Sequence, residues 1–177
     1  RFFAENLRLS KRLLATMNAG QTNSATELAP VCMVRRTLDN LPEFALPARW
    51  SVRWYQPGDE TSWFRIQLAA ERQHAITPEL FRRQFGQDER LLGERQCYLL
   101  DPDNQPAGTA TAWFDDDFEG GQWGRVHWVA ILPEHQGQGL GSPLMIAVCR
   151  RLRELGRDRA FLRTAANRIP AIRLYLR

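Results

Sequence analysis

The chain has 177 residues, of which 44% are hydrophobic and 25% charged, ordinary values for one well-packed globular domain with room for an arm. No apolar run reaches the ~20 residues of a membrane-spanning helix, and Arg1-Phe2-Phe3 opens no signal peptide. The net charge of +4 is carried by arginines scattered among acidic residues, Lys11 being the single lysine, so no basic run points to nucleic acid or a membrane surface.

Cys32, Cys97 and Cys149 lie far apart with no CxxC pair. That spacing argues against a disulfide framework or a metal site and for a reducing, cytoplasmic setting. Each thiol reads as a small buried apolar side chain.

Residues 1–50 read as an N-terminal extension. Phe3, Leu7, Leu9, Leu13, Leu14 and Met17 recur at helical spacing over Phe2–Met17, predicting an amphipathic helix that packs on the main domain or a partner. Asn18–Thr26 is a polar linker, and Val31–Val34 a short strand. The main domain, residues 51–177, opens with a strand over Ser51–Tyr55. Asp59 is expected to cap a helix through Trp63, Ile66 and Ala69. Thr77-Pro78-Glu79 has the cap and first-turn proline of a second helix, running to Phe85 and stopped by Gly86. Strands follow over Cys97–Leu100 and Pro106–Phe114, joined by the turn Asp101–Asn104. An acidic loop, Asp115–Gly121, leads to the strongest strand, Val126–Leu132, which Pro133 ends. A helix over about Ser142–Leu155, closed by Gly156, then a strand over Ala160–Thr164 and a helix from Ile169 complete the chain. The alternation implies an α/β fold around one mixed sheet with a late helical crossover.

Between the strongest strand and the next helix lies Gln136-Gly137-Gln138-Gly139-Leu140-Gly141-Ser142. Three glycines strip side chains from the turn into a helix, whose first N–H groups lack intrahelical partners and sit at the positive end of the dipole. Such a junction accepts a pyrophosphate. A Walker loop needs Gly-Lys-Ser/Thr, and here Gly141 is followed by Ser142-Pro143. A dinucleotide fingerprint needs Gly-x-Gly-x-x-Gly, and here the glycines are spaced by two throughout.

Gln-x-x-Gly-x-Gly after an apolar strand, with Asn167, Ala171 and Leu174-Tyr175 downstream, resembles the acetyl-CoA-binding pattern of the GNAT (Gcn5-related N-acetyltransferase) superfamily. The resemblance implies a mixed central sheet flanked by helices, with splayed central strands, and transfer of acetyl from acetyl-CoA to a primary amine in a ternary complex. On that reading Val129 and Ile131 pair with the pantetheine arm. Gln136, Gly137, Gln138, Gly139, Leu140, Gly141 and Ser142 hold the pyrophosphate, Asn167 touches the cofactor, and Tyr175 protonates the thiolate. No metal is implied. Strand alternation would put Arg125, His127, Val129 and Ile131 on one face, making His127 the candidate base, while Arg125 stays charged. The acidic residues Asp115–Asp117 and Glu119 could attract a cationic amine, and His135 reads as loop surface.

The family pattern continues beyond a Tyr of this kind with further strands, so the domain is expected to be C-terminally incomplete or closed by a partner, a homodimer being one open arrangement. A non-catalytic acyl-CoA-binding module is the alternative function. No nucleic-acid or membrane partner is implied.

Overall fold

The computed structural model describes residues 3, 8–9, 30–71, 74–115 and 117–176. In chain order it contains β1 (Arg8–Leu9), β2 (Pro30–Arg35), β3 (Ser51–Trp54), α1 (Glu60–Ala70), α2 (Pro78–Phe85), α3 (Glu89–Arg95), β4 (Gln96–Leu100) and β5 (Pro106–Asp115). These are followed by β6 (Trp123–Ile131), α4 (Gly141–Glu154), β7 (Ala160–Ala165) and α5 (Ile169–Tyr175). Short 3-10 turns at Phe118–Gly120 and Pro133–His135 flank β6.

The strands form one sheet in the order β1-β2-β7-β6-β5-β4-β3. All neighbours run antiparallel except β6 and β7. Those two are joined through α4, the long crossover that a parallel pair requires. Side chains alternate across β4: Cys97 and Leu99 pack with Leu144, Met145, Val148, Cys149 and Leu152 of α4. Tyr98 and Leu100 pack with Trp63, Phe81, Phe85 and Leu92 of α1, α2 and α3. Helices therefore cover both faces. Cys97 and Cys149 are buried free thiols, and Cys32 is half-buried.

Local chemistry explains most boundaries. Thr77 accepts a hydrogen bond from the Leu80 N–H at the head of α2. Asp59 does not cap α1 with its side chain. Its carboxylate instead binds the Arg53 guanidinium through two oxygens and accepts from the Gln56 N–H at 2.7 Å, tying β3 to the turn before α1. The strand expected from Val126 begins three residues earlier, at Trp123, because Trp123 and Gly124 pair with Asp115 and Phe114 across the hairpin. Helix α3 was not anticipated. Asp88 caps it by accepting from Arg90 and Leu91, but Leu92 is its one buried residue, so its apolar periodicity is too sparse to read.

The segment expected to be an N-terminal extension contributes two strands. Arg8–Leu9, inside the span predicted to be helical, pairs as a strand with Val31–Cys32. The pairing edge of β2 overrides local helical spacing there, and apart from Phe3 the rest of Phe2–Met17, like Asn18–Thr26, lies outside the described residues. Strand β2 then lies along β7 from Pro30↔Ala165 to Arg35↔Ala160.

Candidate functional site

Strands β6 and β7 pair at Gly124↔Ala160 and Arg125↔Phe161 and then diverge, opening a gap toward the C-terminal end of β6. Within β6 the partner register slips: Thr111 faces His127 and Thr109 faces Ala130. One extra residue is accommodated at Trp128, whose φ is +50°. A non-glycine residue there costs about 1–3 kcal/mol and persists only when its surroundings hold it. Here the Trp128 carbonyl accepts from Gln67 Nε2 at 3.1 Å and its indole N–H donates to Gln84 Oε1 at 3.1 Å.

The bulge corrects the expected alternation. Val126, Val129 and Ile131 pack with the α4 side of the core, whereas Trp128 and Ala130 pack with the aromatic cluster under α1 and α2. His127 joins that second group, edge-on to Phe85 and Trp128. It therefore does not share a face with Val129 and Ile131. Its Nε2 lies 2.8 Å from Gln84 Oε1. An indole N–H only donates, which fixes the contacting Gln84 atom as oxygen and makes His127 Nε2 the donor. Burial, reinforced by the Arg125 and Arg163 charges, holds its pKa well below the usual histidine range.

Where β6 ends, a cavity of about 480 Å³ opens between its last residues, the glycine turn and α5. Val129, Ile131, Gln136, Gly137, Gly139, Leu140, Gly141, Ser142 and Tyr175 all line it. Gln138 does not: it points outward and donates to the Glu134 carbonyl. Asn167 does not either; it lies two residues before α5, which begins at Ile169. Neither the described acidic residues of the 115–119 loop nor His127 lines the cavity. His135, read from the sequence as loop surface, does, and it packs edge-on against Trp50.

The glycines play different parts. Gly137 and Gly139 have φ of +80° and +78°, and a Cβ on either would meet nothing within 4 Å. They turn the chain into α4 and leave open space above the helix N-terminus. Gly141 lets α5 come close, since a Cβ there would lie 2.8 Å from the end of the Leu174 side chain, which would have to shift. Gln136 Nε2 donates to the Ile131 carbonyl at 2.8 Å, bracing the turn against the strand.

Tyr175 is buried, and its hydroxyl pKa is pushed up to about 12 by that burial, with Arg168 pulling the other way. The Phe3 N–H donates to the Tyr175 carbonyl at 2.9 Å, and the two rings meet edge to face at 6.5 Å. Arg168 and Arg173 bring two cations to the cavity wall. Arg168 and Arg173 carried no sequence signal, since each depends on where α5 docks, and Phe3 was legible only as part of an apolar stripe.

Residues 51–177 match the model of the acetyltransferase (GNAT) family. The chain belongs to that family. It is 33% identical over 143 residues to a mycothiol acetyltransferase of Pseudarthrobacter chlorophenolicus, covering 78% of this chain and 44% of that protein. It is 31% identical over 153 residues to one of Thermomonospora curvata, covering 80% and 48%. The chain thus spans less than half the length of these curated relatives. Among solved structures, a GNAT protein of Sphaerobacter thermophilus superposes with a TM-score of 0.67 at 20% identity, covering 90% of this chain and 49% of that one. The Escherichia coli ribosomal-protein-S18-alanine N-acetyltransferase superposes with a TM-score of 0.56 at 20% identity, covering 71% and 74%. These likenesses agree with the mixed, helix-flanked sheet of this GNAT chain. No helix among the described residues is long and apolar enough to cross a membrane.

Proposed function

We propose that this GNAT chain transfers an acetyl group from acetyl-CoA to a primary amine by direct attack within a ternary complex. The observation that carries the reading is a single cavity wall in which the open turn at Gly137 and Gly139, the N-terminus of α4, the diverging strand residues Val129 and Ile131, and Tyr175 all meet. The residues fit coenzyme A. The Gln136 N–H is donated to the Pro133 carbonyl, so it is the N–H groups from Gly137 to Ser142 and the positive end of a 14-residue helix that suit a diphosphate, with Arg168 and Arg173 adding charge. The backbone of Val129 and Ile131 offers a strand edge for the pantetheine amides.

Tyr175 acts as the acid. Burial keeps its hydroxyl protonated across the neutral range, so a proton is available when the thiolate departs. Positioning of amine and thioester supplies most of the acceleration. Matching relatives are named for mycothiol, and structural neighbours for the alanine of a ribosomal protein and for glucosamine-6-phosphate; an amine is the acceptor chemistry this reading draws from them. The position of His127, donated to Gln84 away from the cavity, favours the alternative of a module that binds acyl-CoA without turnover. A thiol-release assay separates the two, using acetyl-CoA with glucosamine 6-phosphate, an alanine-initiated peptide and a lysine peptide. Thiol release with at least one amine is expected, and saturable binding with none released would favour the module.

A further inference from the structure

Beside the cavity, behind the wall formed by Ala70 and Arg168, stands a charged constellation that neither the sequence nor the family match assigns; its members Glu71 and His74 do not themselves line the cavity. Glu71 follows the last residue of α1, next to Ala70, which lines the cavity. Its carboxylate side chain is only 3% exposed, an expensive place for a charge without partners. One oxygen binds the Arg168 guanidinium, at the head of α5 and on the cavity wall. The other lies 3.4 Å from Nδ1 of His74, whose side chain is 59% exposed. The His74 ring also stands edge-on to Trp128, 5.9 Å between centroids, beside the bulge that directs Val129 to the cavity.

We propose that His74 is the base that takes the proton of the acceptor amine, and that Glu71 is its positioning residue. The assignment rests on the acetyl-transfer reading above. An ionised carboxylate only accepts hydrogen bonds, so it holds the proton of a neutral imidazole on Nδ1 and leaves the Nε2 lone pair free. Arg168, on the far oxygen, pairs with the carboxylate and fixes its orientation. Exposure lets Nε2 meet an incoming amine, whereas His127, the other histidine against Trp128, donates its Nε2 proton inward to Gln84. The groups bearing on His74 are Glu71 directly, Arg168 through Glu71, and Trp128, with His127 and its neighbours Arg125 and Arg163 behind that indole.

The proton balance closes. His74 Nε2 takes one proton from the ammonium, and the freed nitrogen pair attacks the thioester carbon. The C–S bond breaks as Tyr175 protonates the sulfur. Tyr175 is reprotonated through solvent by the second proton the nitrogen sheds, and His74 returns its own to solvent.

The test compares wild type with His74→Gln and Glu71→Gln, using acetyl-CoA and the amine from the panel above that gives the fastest wild-type thiol release. His74→Gln is expected to lower kcat about 100-fold or more at pH 7 while acetyl-CoA affinity by calorimetry stays unchanged. The deficit should narrow toward pH 10, where solvent already deprotonates much of the amine. Glu71→Gln should lose about tenfold in kcat, with the His74 ring signals in NMR shifting away from the Nδ1–H tautomer. A His74→Gln enzyme within about twofold of wild type, or a deficit equal at every pH, overturns the assignment while leaving acetyl transfer standing. Wild type that releases no thiol with any amine overturns both.

Discussion

Tyr175 and His127 illustrate how burial sorts residues whose types alone suggest similar work. The Tyr175 hydroxyl is raised to about 12, so it stays protonated at every pH at which the protein would be assayed. Tyr175→Phe is expected to lower kcat by about 100-fold with little change in acetyl-CoA affinity, read by steady-state kinetics beside calorimetry. His127 is shifted the other way. Its folded pKa lies below the unfolded value, so the folded state binds fewer protons than the unfolded chain in mildly acidic solution. Stability is then fully present above the unfolded pKa and falls as pH drops through ~6.5. Thermal melts between pH 7.5 and 5 should show Tm decreasing toward acid, and His127→Asn, which can still donate to Gln84, should flatten that slope.

At the scale of elements, the junction of β6, the glycine turn and α4 was legible from residues alone. A strand ended by Pro133, three glycines and an apolar helix face admit few other arrangements, and α4 begins at Gly141, one residue before the expected start. The bulge at Trp128 was not legible. Alternation across Val126–Ile131 carries no mark of an extra residue, and the strain is held by Gln67 and Gln84, which lie 61 and 44 residues away in the chain. Unbroken alternation, with no bulge, puts His127 on the face of Val129 and Ile131, which it does not share. The docking of α5 was hidden for a related reason. Its seven residues meet Phe3 and Gly141, and Arg168 just before them meets Glu71, none of these near in sequence. The glycines of the turn should respond unequally. Gly141→Ala should change stability by less than about 1 kcal/mol in chemical denaturation, because the end of the Leu174 side chain can shift from the new Cβ and Ala favours the helix. Gly139→Ala should cost about 1 kcal/mol from its left-handed φ.

For the molecule as a whole, strands from the first 54 residues close the sheet on both sides, β1 and β2 beyond β7 and β3 beyond β4. Strand β2 buries Val31, Met33 and Val34 while covering the outer edge of β7, the strand that also borders the cofactor gap. Burying three such side chains contributes about 5–9 kcal/mol, comparable to the entire stability of many domains. A chain beginning at residue 36 should therefore lose its cooperative thermal transition, measured by circular dichroism, and retention of a sharp melt within a few degrees of the full chain would show that β7 does not need that cover.

The central claim is that the open turn at Gly137 and Gly139 over the head of α4 seats the diphosphate of acetyl-CoA. Titrating acetyl-CoA into the full chain by calorimetry, alongside Gly139→Val, tests it most directly. Saturable one-to-one heat with wild type, weakened at least about tenfold in a folded Gly139→Val variant, is the expected result. An absence of heat with wild type, or equal affinity in the variant, would contradict it.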